Sequence, residues 1–432
     1  MIDRLIDELD AVLSRRAIDP LFQPIVEIAT GDTVAYEALA CGPVDGPLRM
    51  PQELFDTARE AGRLDELDEL CRTRAVESAV EAGLRAPFGL FVNVEPAAIP
   101  AAPPAVLAGA DRRGIRVVVE LTERALTRNP ARLLAFAERV RAAGVGIALD
   151  DVGADPDSLA LMPFLRPEVV KLDLRLVQRR PNATVAEIMT AVTAYAEQCG
   201  AIVLAEGIES EVHERTALSL GASLGQGWRY GRPAPLPHAA TEVPGPTAPR
   251  RPLVLPRAPL TPTARSPYGA VARLRAPQRG SRSLLAAISR LLERQASELR
   301  GLAVVLATFE KVEYLSSATS RRYARLAASS AFVAVLGAGM PAEPVPGVRG
   351  AELAPDDPVL GEWDVVVVGP HFAAALVARD LDPGSSDPDC PFDFLLTYDR
   401  MTVLDVARSL MSRALPADRS APTTTMLGVV SG

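Results

Sequence analysis

The runs GIALDD (146–151), EVVKLD (168–173) and IVLAEG (202–207) decide how this chain folds. Each is a short apolar segment that stops on ionisable residues: Asp150 and Asp151, Lys171 and Asp173, and Glu206. Helix-like stretches alternate with them. PARLLAFAERVRAAG (130–144) and VAEIMTAVTAYAEQCG (185–200) carry apolar residues at helical spacing and end on a glycine. Working outward, the same pattern returns in VAYEAL with Glu37, LFVNV with Asn93, VVVEL with Glu120 and SLGQG with Gln226. LFQPIVEI (21–28) and DTVAYEALA (32–40) read as two early strands, and 51–83 reads as helix. Repeated β-α units of this size predict a barrel or an open parallel sheet. The strands are apolar on both faces, as a helix-covered sheet requires. Carboxylates and amides are costly in apolar segments unless something pairs with them. Their return at the same place in successive units predicts one shared site, on the face where a parallel barrel gathers its strand ends.

With 432 residues, the chain has room for two or three domains. Hydrophobic residues at 48% and charged residues at 23% match an ordinary globular protein. The longest apolar runs are too short to cross a bilayer, and the start lacks the layout of a secretory signal, so a cytoplasmic protein with no membrane span is expected. Cys41, Cys71, Cys199 and Cys390 are scattered without a CxxC pair, which fits free thiols. None of His213, His238 and His371 ends a strand-like run, which argues against a zinc centre. The hard oxygen ligands favour Mg²⁺ or Mn²⁺. A net charge of −8 argues against binding a nucleic-acid polymer, though bound cations could still admit a small phosphate ligand. Of 46 basic residues only Lys171 and Lys311 are lysine. A lysine at a strand end beside Asp173 suggests a compact ammonium that orients a water, a task a broad guanidinium does not fit.

The barrel-like region is expected over 1–237. Residues 238–282 are rich in Pro, Ala and Arg and read as a semi-extended linker. Residues 283–416 read as a smaller α/β domain, with LAVVLATF, AFVAVLG, WDVVVVG and FDFLLTYD as strands and SRRYARLAASS, FAAALVARDL and MTVLDVARSLMSRAL as helices. The tail 417–432 is expected to be disordered.

YEAL (36–39), FVNVEP (91–96), ELTE (120–123), DDVG (150–153), KLD (171–173), AEGIE (205–209) and GQGWRYGRP (225–233) follow one another in order. Each alone is weak, but seven in sequence are specific, and together they resemble the EAL-domain family of cyclic di-GMP phosphodiesterases over about 10–240. The resemblance implies a TIM-like (β/α)8 barrel with one antiparallel strand. It implies hydrolysis of cyclic di-GMP to linear pGpG with two Mg²⁺ or Mn²⁺ ions, and frequent homodimerisation. By position, Glu37, Asn93, Glu120, Asp150, Asp151 and Glu206 would bind metal, with Lys171, Glu206 and Glu37 in the catalytic roles. Glu123, Glu209 and Gln226 would support them, and Leu39, Asp173 and Arg232 would meet substrate. Adjacent acids at a strand end suit a bridged metal pair. They also suit a helix N-cap, and Asn93 suits a turn. Tyr36, Trp228 and Tyr230 read as packing residues rather than base-stacking platforms.

Two features depart from the family. Cys41 stands where an arginine commonly contacts a ligand phosphate, a loss worth about 1.5–3 kcal/mol of binding. The loop after Asp151 reads GADPDSL, stiffened by Pro156 and made acidic by Asp155 and Asp157, where the family has a Gly-Thr-Gly-Tyr-Ser-Ser type run that couples dimerisation to metal binding. These departures support an alternative: a weak or inactive EAL domain acting as a cyclic di-GMP receptor or protein-interaction module. LAVVLATFEK, WDVVVVGP and LLTYDR resemble the DICT sensory domain, which implies a small-molecule or protein signal at the C-terminal domain.

Overall fold

The computed structural model describes residues 2–99, 105–109, 114–122, 129–154, 158–180, 182–236, 253–256, 266–299, 301–382, 387 and 389–414. Eight strands close into a barrel in chain order: β1 (Leu21–Glu27), β2 (Thr33–Leu39), β3 (Gly89–Val94), β4 (Arg116–Thr122), β5 (Gly146–Val152), β6 (Val169–Leu172), β7 (Ile202–Ala205) and β8 (Leu224–Gln226). β1 runs antiparallel to both β2 and β8, and every other neighbour is parallel. The short 28–32 turn dictates this, because a parallel pair would need a long crossover.

The helices form where the spacing predicts them. Asn129 and Asn182 cap Pro130–Ala142 and Ala183–Cys199 through their side chains. The stretch 51–83, expected as one helix, divides into Pro51–Glu60 and Leu64–Glu81 at Gly62, whose φ of 67° leaves the helical region.

Ile25, Phe91, Val118, Ala148, Val169 and Leu204 fill the barrel interior. Its floor is closed by 253–256. Leu253 belongs to the interior cluster and is 4% exposed, and the Arg116 guanidinium holds its carbonyl. Gly89 and Gly146 start their strands with no side chain because these leucines take the space. A Cβ would meet Leu253 at 3.0 Å and Leu255 at 2.4 Å respectively. The stretch 238–282 is therefore not a linker throughout. It also supplies the helix Pro267–Ala272 and the strand β9 (Gln278–Ser281) to the C-terminal domain.

That domain is a seven-stranded sheet in the order β12-β11-β10-β13-β14-β15-β9. The strands are β10 (Val304–Lys311), β11 (Phe332–Ala338), β12 (Arg349–Glu352), β13 (Glu362–Val368), β14 (Ala373–Asp380) and β15 (Pro391–Thr397). Val305, Val333 and Val365 face Leu285, Leu292 and Tyr323 of the helices Arg282–Glu298 and Ser317–Ala327. Their neighbours Val304, Ala334 and Val366 join the cluster of the helices Pro267–Ala272 and Arg400–Met411. The expected helix FAAALVARDL is β14 instead. Its alanines favour helix in isolation, but β13 and β15 pair with it on both sides and its residues 373–378 are buried.

The two domains share one core. Met162, Phe164 and Leu165 of the helix Ser158–Leu165 and Leu404, Ala407, Leu410 and Met411 belong to a single cluster. Arg408 crosses the seam, donating to the Phe164 carbonyl and, at 2.9 Å, to Glu138 Oε1. Among the described residues, no helix is long and apolar enough to cross a membrane. The expected tail 417–432 lies outside the described residues.

Candidate active site

Four strands deliver carboxylates to one ammonium. Lys171 Nζ, on β6 and 1% exposed, lies 2.6 Å from Glu120 Oε1 of β4 and 2.7 Å from Glu206 Oε1 just past β7. It lies 3.0 Å from Asp150 Oδ1 of β5 and 3.4 Å from Glu37 Oε2 of β2. Neighbouring donors fix Glu37. Asn93 Nδ2 of β3 donates to Oε1 at 3.1 Å, and Gln226 Nε2 of β8 donates to Oε2 at 2.7 Å. Gln226 also donates to Gln23 Oε1 of β1 at 3.1 Å. Gln23 escaped the sequence reading, though the signal was there: a polar residue inside the apolar run LFQPIV.

Asp150 and Asp151 would point to opposite sides of a regular strand. Asp151 instead has φ of 58°, and the β5–β6 register slips between Leu149 and Val152. The backbone irregularity brings oxygens of Asp150, Asp151 and Glu206 within 4.8 Å of one another.

The electrostatics follow from burial. Burial would drive the Lys171 ammonium toward neutrality, but Asp150, Glu120, Glu206 and Glu37 outweigh it and hold its proton well beyond the usual lysine range. Burial pushes Glu206 up to about 8 against the pull of Lys171, with Asp150 and Glu37 adding to the rise. Burial and then Glu37 raise Glu120 well above the usual carboxylate range. Glu37 goes the other way: burial opposes its charge, but Lys171 and the donors Gln226 and Asn93 prevail.

This donor set fits divalent cations. Four carboxylates (Glu37, Glu120, Asp150 and Glu206) surround one ammonium, and Asp151 lies beside Asp150 and Glu206, an excess of acid that divalent cations would offset. Glu120 Oε2 is buried without a hydrogen-bond partner, and the buried Glu120 Oε1 and Asp150 Oδ1 rely on the Lys171 ammonium. All ligands are hard oxygens or amides, the chemistry of Mg²⁺ and Mn²⁺.

The remaining expected residues are more dispersed. Leu39 ends β2, half-buried at the rim. Asp173 is buried and engaged, capping the helix Leu174–Gln178 and pairing with Arg175 at 2.8 Å. Glu209 is exposed beyond β7. Arg232 stacks on Trp228. Glu123 and the loop residues 155–157 lie outside the described residues. Cys41 is buried beside Arg49, whose Nη1 donates to the Gly42 carbonyl at 2.6 Å. Tyr36 packs on Phe88 with ring centroids 6.1 Å apart, and Tyr230 donates its hydroxyl to Glu214 at 2.8 Å, as packing residues would. Trp228 does not pack away, being 54% exposed.

Residues 6–233 match the model of the EAL domain. Residues 269–381 match that of a sensory domain in diguanylate cyclases and two-component systems. An uncharacterized signaling protein of Caulobacter vibrioides is 31% identical over 50% of this chain and 27% of its own. The cyclic di-GMP phosphodiesterase RocR of Pseudomonas aeruginosa is 33% identical over 28% of this chain and 31% of its own. A solved PaMucR phosphodiesterase in complex with c-di-GMP is 26% identical, covering 54% of this chain and 98% of that one, with a TM-score of 0.47. The chain spans at most about a third of the length of these curated relatives. With 6–233 matched over more than half its length, and the strand-end acids gathered at one rim, the chain belongs to the EAL-domain family.

Proposed function

We propose that this protein hydrolyses cyclic di-GMP to linear pGpG with the help of divalent cations. The observation that carries this reading is the meeting of Glu37, Glu120, Asp150 and Glu206, from four separate strands, around Lys171 Nζ. Glu37, Asn93, Glu120, Asp150, Asp151 and Glu206 would hold two Mg²⁺ or Mn²⁺ ions. Those ions supply, when bound, an acidified water and stabilisation of charge on the phosphoryl and leaving oxygens. Gln226 and Gln23 keep the Glu37 carboxylate in one orientation. Lys171 Nζ, fixed among these acids, would hold the attacking water by hydrogen bond. The water oxygen forms the new bond to phosphorus, the bond to the ribose 3′-oxygen breaks, and the proton released by water ends on that oxygen.

The names of the RocR and PaMucR relatives support the substrate, and the hard-oxygen donor set supports the cations. Control by the C-terminal domain, a homodimer and a cytoplasmic location complete the reading. Incubation of the intact chain with cyclic di-GMP and Mg²⁺ or Mn²⁺, followed by separation of the nucleotides, tests it. Accumulation of pGpG, lost in Glu37→Ala, is expected. Binding without pGpG would turn the reading to a cyclic di-GMP receptor.

A further inference from the structure

Trp228 has no account in the packing of the barrel. It lies two residues beyond Gln226, on the loop leaving β8 at the same end as the carboxylates, and 54% of it is exposed. The Arg232 guanidinium sits over its ring, 4.0 Å from the centroid, and more than half of the residue remains exposed. The backbone beneath is closely packed. Gly227, with φ of 152°, passes Ile208 so closely that a Cβ would lie 2.2 Å from the Ile208 carbonyl oxygen. Arg229 N–H donates to that same oxygen at 3.0 Å, and Arg229 and Tyr230 both grip Glu214, at 2.9 and 2.8 Å.

Other loops on this rim also present apolar side chains to solvent: Val44 and Met50 beyond β2, and Leu174 beyond β6. The acidic cluster thus lies inside a rim with flat and apolar surfaces. With cations held by these acids, a fitting ligand carries anionic groups toward the cluster and planar rings at its margins.

We propose that Trp228, backed by Arg232, is a stacking shelf for one purine base of the cyclic dinucleotide. The inference rests on the cyclic di-GMP reading above and assigns base contact to the loop after β8. An indole already fixed on a closely packed loop loses little freedom when a base stacks on it, and a neighbouring guanidinium strengthens such contacts.

The chain has two tryptophans, Trp228 and Trp363, so Trp363→Phe makes Trp228 the sole indole reporter. Cyclic di-GMP is titrated into this protein with Ca²⁺, following emission and, in parallel, calorimetric heat. Saturable quenching of Trp228 at the calorimetric Kd is expected. Trp228→Ala should weaken binding by about fivefold to a hundredfold, with Trp228→Tyr retaining most of the affinity. Because the side chain is exposed, circular dichroism of both variants should match the parent. Calorimetric binding with unchanged emission and an unchanged Kd in Trp228→Ala overturns the shelf and leaves the cyclic di-GMP reading standing. No calorimetric binding by the parent overturns both.

Discussion

Arg166 Nη2 of the barrel lies 2.6 Å from Asp405 Oδ1 of the C-terminal domain. Arg166 is held with φ of 53°, and Arg141 pins its carbonyl from below. Glu168, two residues on, accepts from the Ile147 N–H at 2.8 Å at the start of β5 and from Arg141 at 2.8 Å. The seam between domains therefore touches the roots of β5 and β6, the strands that carry Asp150, Asp151 and Lys171. Arg408 seals it. Replacing Arg408 with Ala strips donors from the Phe164 carbonyl and Glu138 and opens a gap in the shared core. A loss of about 1–3 kcal/mol is expected. Calorimetric unfolding should show one cooperative transition in the parent and two separable ones in the variant. A single unshifted transition would show that the seam adds nothing.

Removal of the Lys171 ammonium leaves the four surrounding acids without their common partner. Lys171→Met should destabilise the metal-free protein by about 3–5 kcal/mol, as expected when one member of a buried charge group is lost. Mn²⁺ should recover most of that stability, because cations replace the missing positive charge. Thermal melts with and without Mn²⁺ read this directly. Equal melting of variant and parent without metal would mean the acids are neutral without lysine.

Asp364, on the central strand β13, is fully buried with one oxygen lacking a hydrogen-bond donor. Burial first, and the Glu362 carboxylate second, hold its carboxyl well above the usual range. The folded chain thus keeps a proton that the unfolded chain releases near pH 3.9. The stability from this group is complete below that pH and falls as pH rises through the higher folded value. Asp364→Asn keeps the shape without the charge. It should flatten this decline and raise stability at neutral pH by on the order of 1 kcal/mol. Denaturant titrations at several pH values check it, and a variant with the parent's pH slope would contradict it.

Leu253→Ala should empty part of the barrel floor between Ala35 and Gly89. A cost of about 2–5 kcal/mol follows from burial and the cavity left behind. Denaturant midpoints report it. A cost under about 0.5 kcal/mol, the level of surface substitutions, would mean that 253–256 merely lies on the surface.

How much of this was legible in the sequence depended on whether a segment's pattern and its tertiary surroundings agreed. GIALDD, EVVKLD and IVLAEG are β-branched or apolar, flanked by helices, and end on acids, so both the strands and their shared rim could be read. FAAALVARDL could not, because alanine suits helix locally and only pairing with β13 and β15 makes it a strand. LVLP at 253–256 sits in a Pro- and Arg-rich stretch, and its docking depends on the vacant space at Gly89 and Gly146, far away in sequence. The carboxylates were legible individually. The turn of Asp151 into the left-handed region, which lets it join Asp150, has no local signal in DDVG. Gln23 stands out as a polar residue in LFQPIV, but its contact with Gln226 needs the barrel to close, and the 54% exposure of Trp228 runs against the packing role expected of it.

Acids from separate strands are proposed to form one site for a pair of cations. Titration of the intact chain with Mn²⁺ in a calorimeter measures this most directly. Two Mn²⁺ ions per chain are expected, with Asp150→Asn losing at least one of them and Glu37→Gln weakening the set. A parent chain that binds no Mn²⁺, or an Asp150→Asn variant that binds it as the parent does, would rule out a shared cation site at these strand ends.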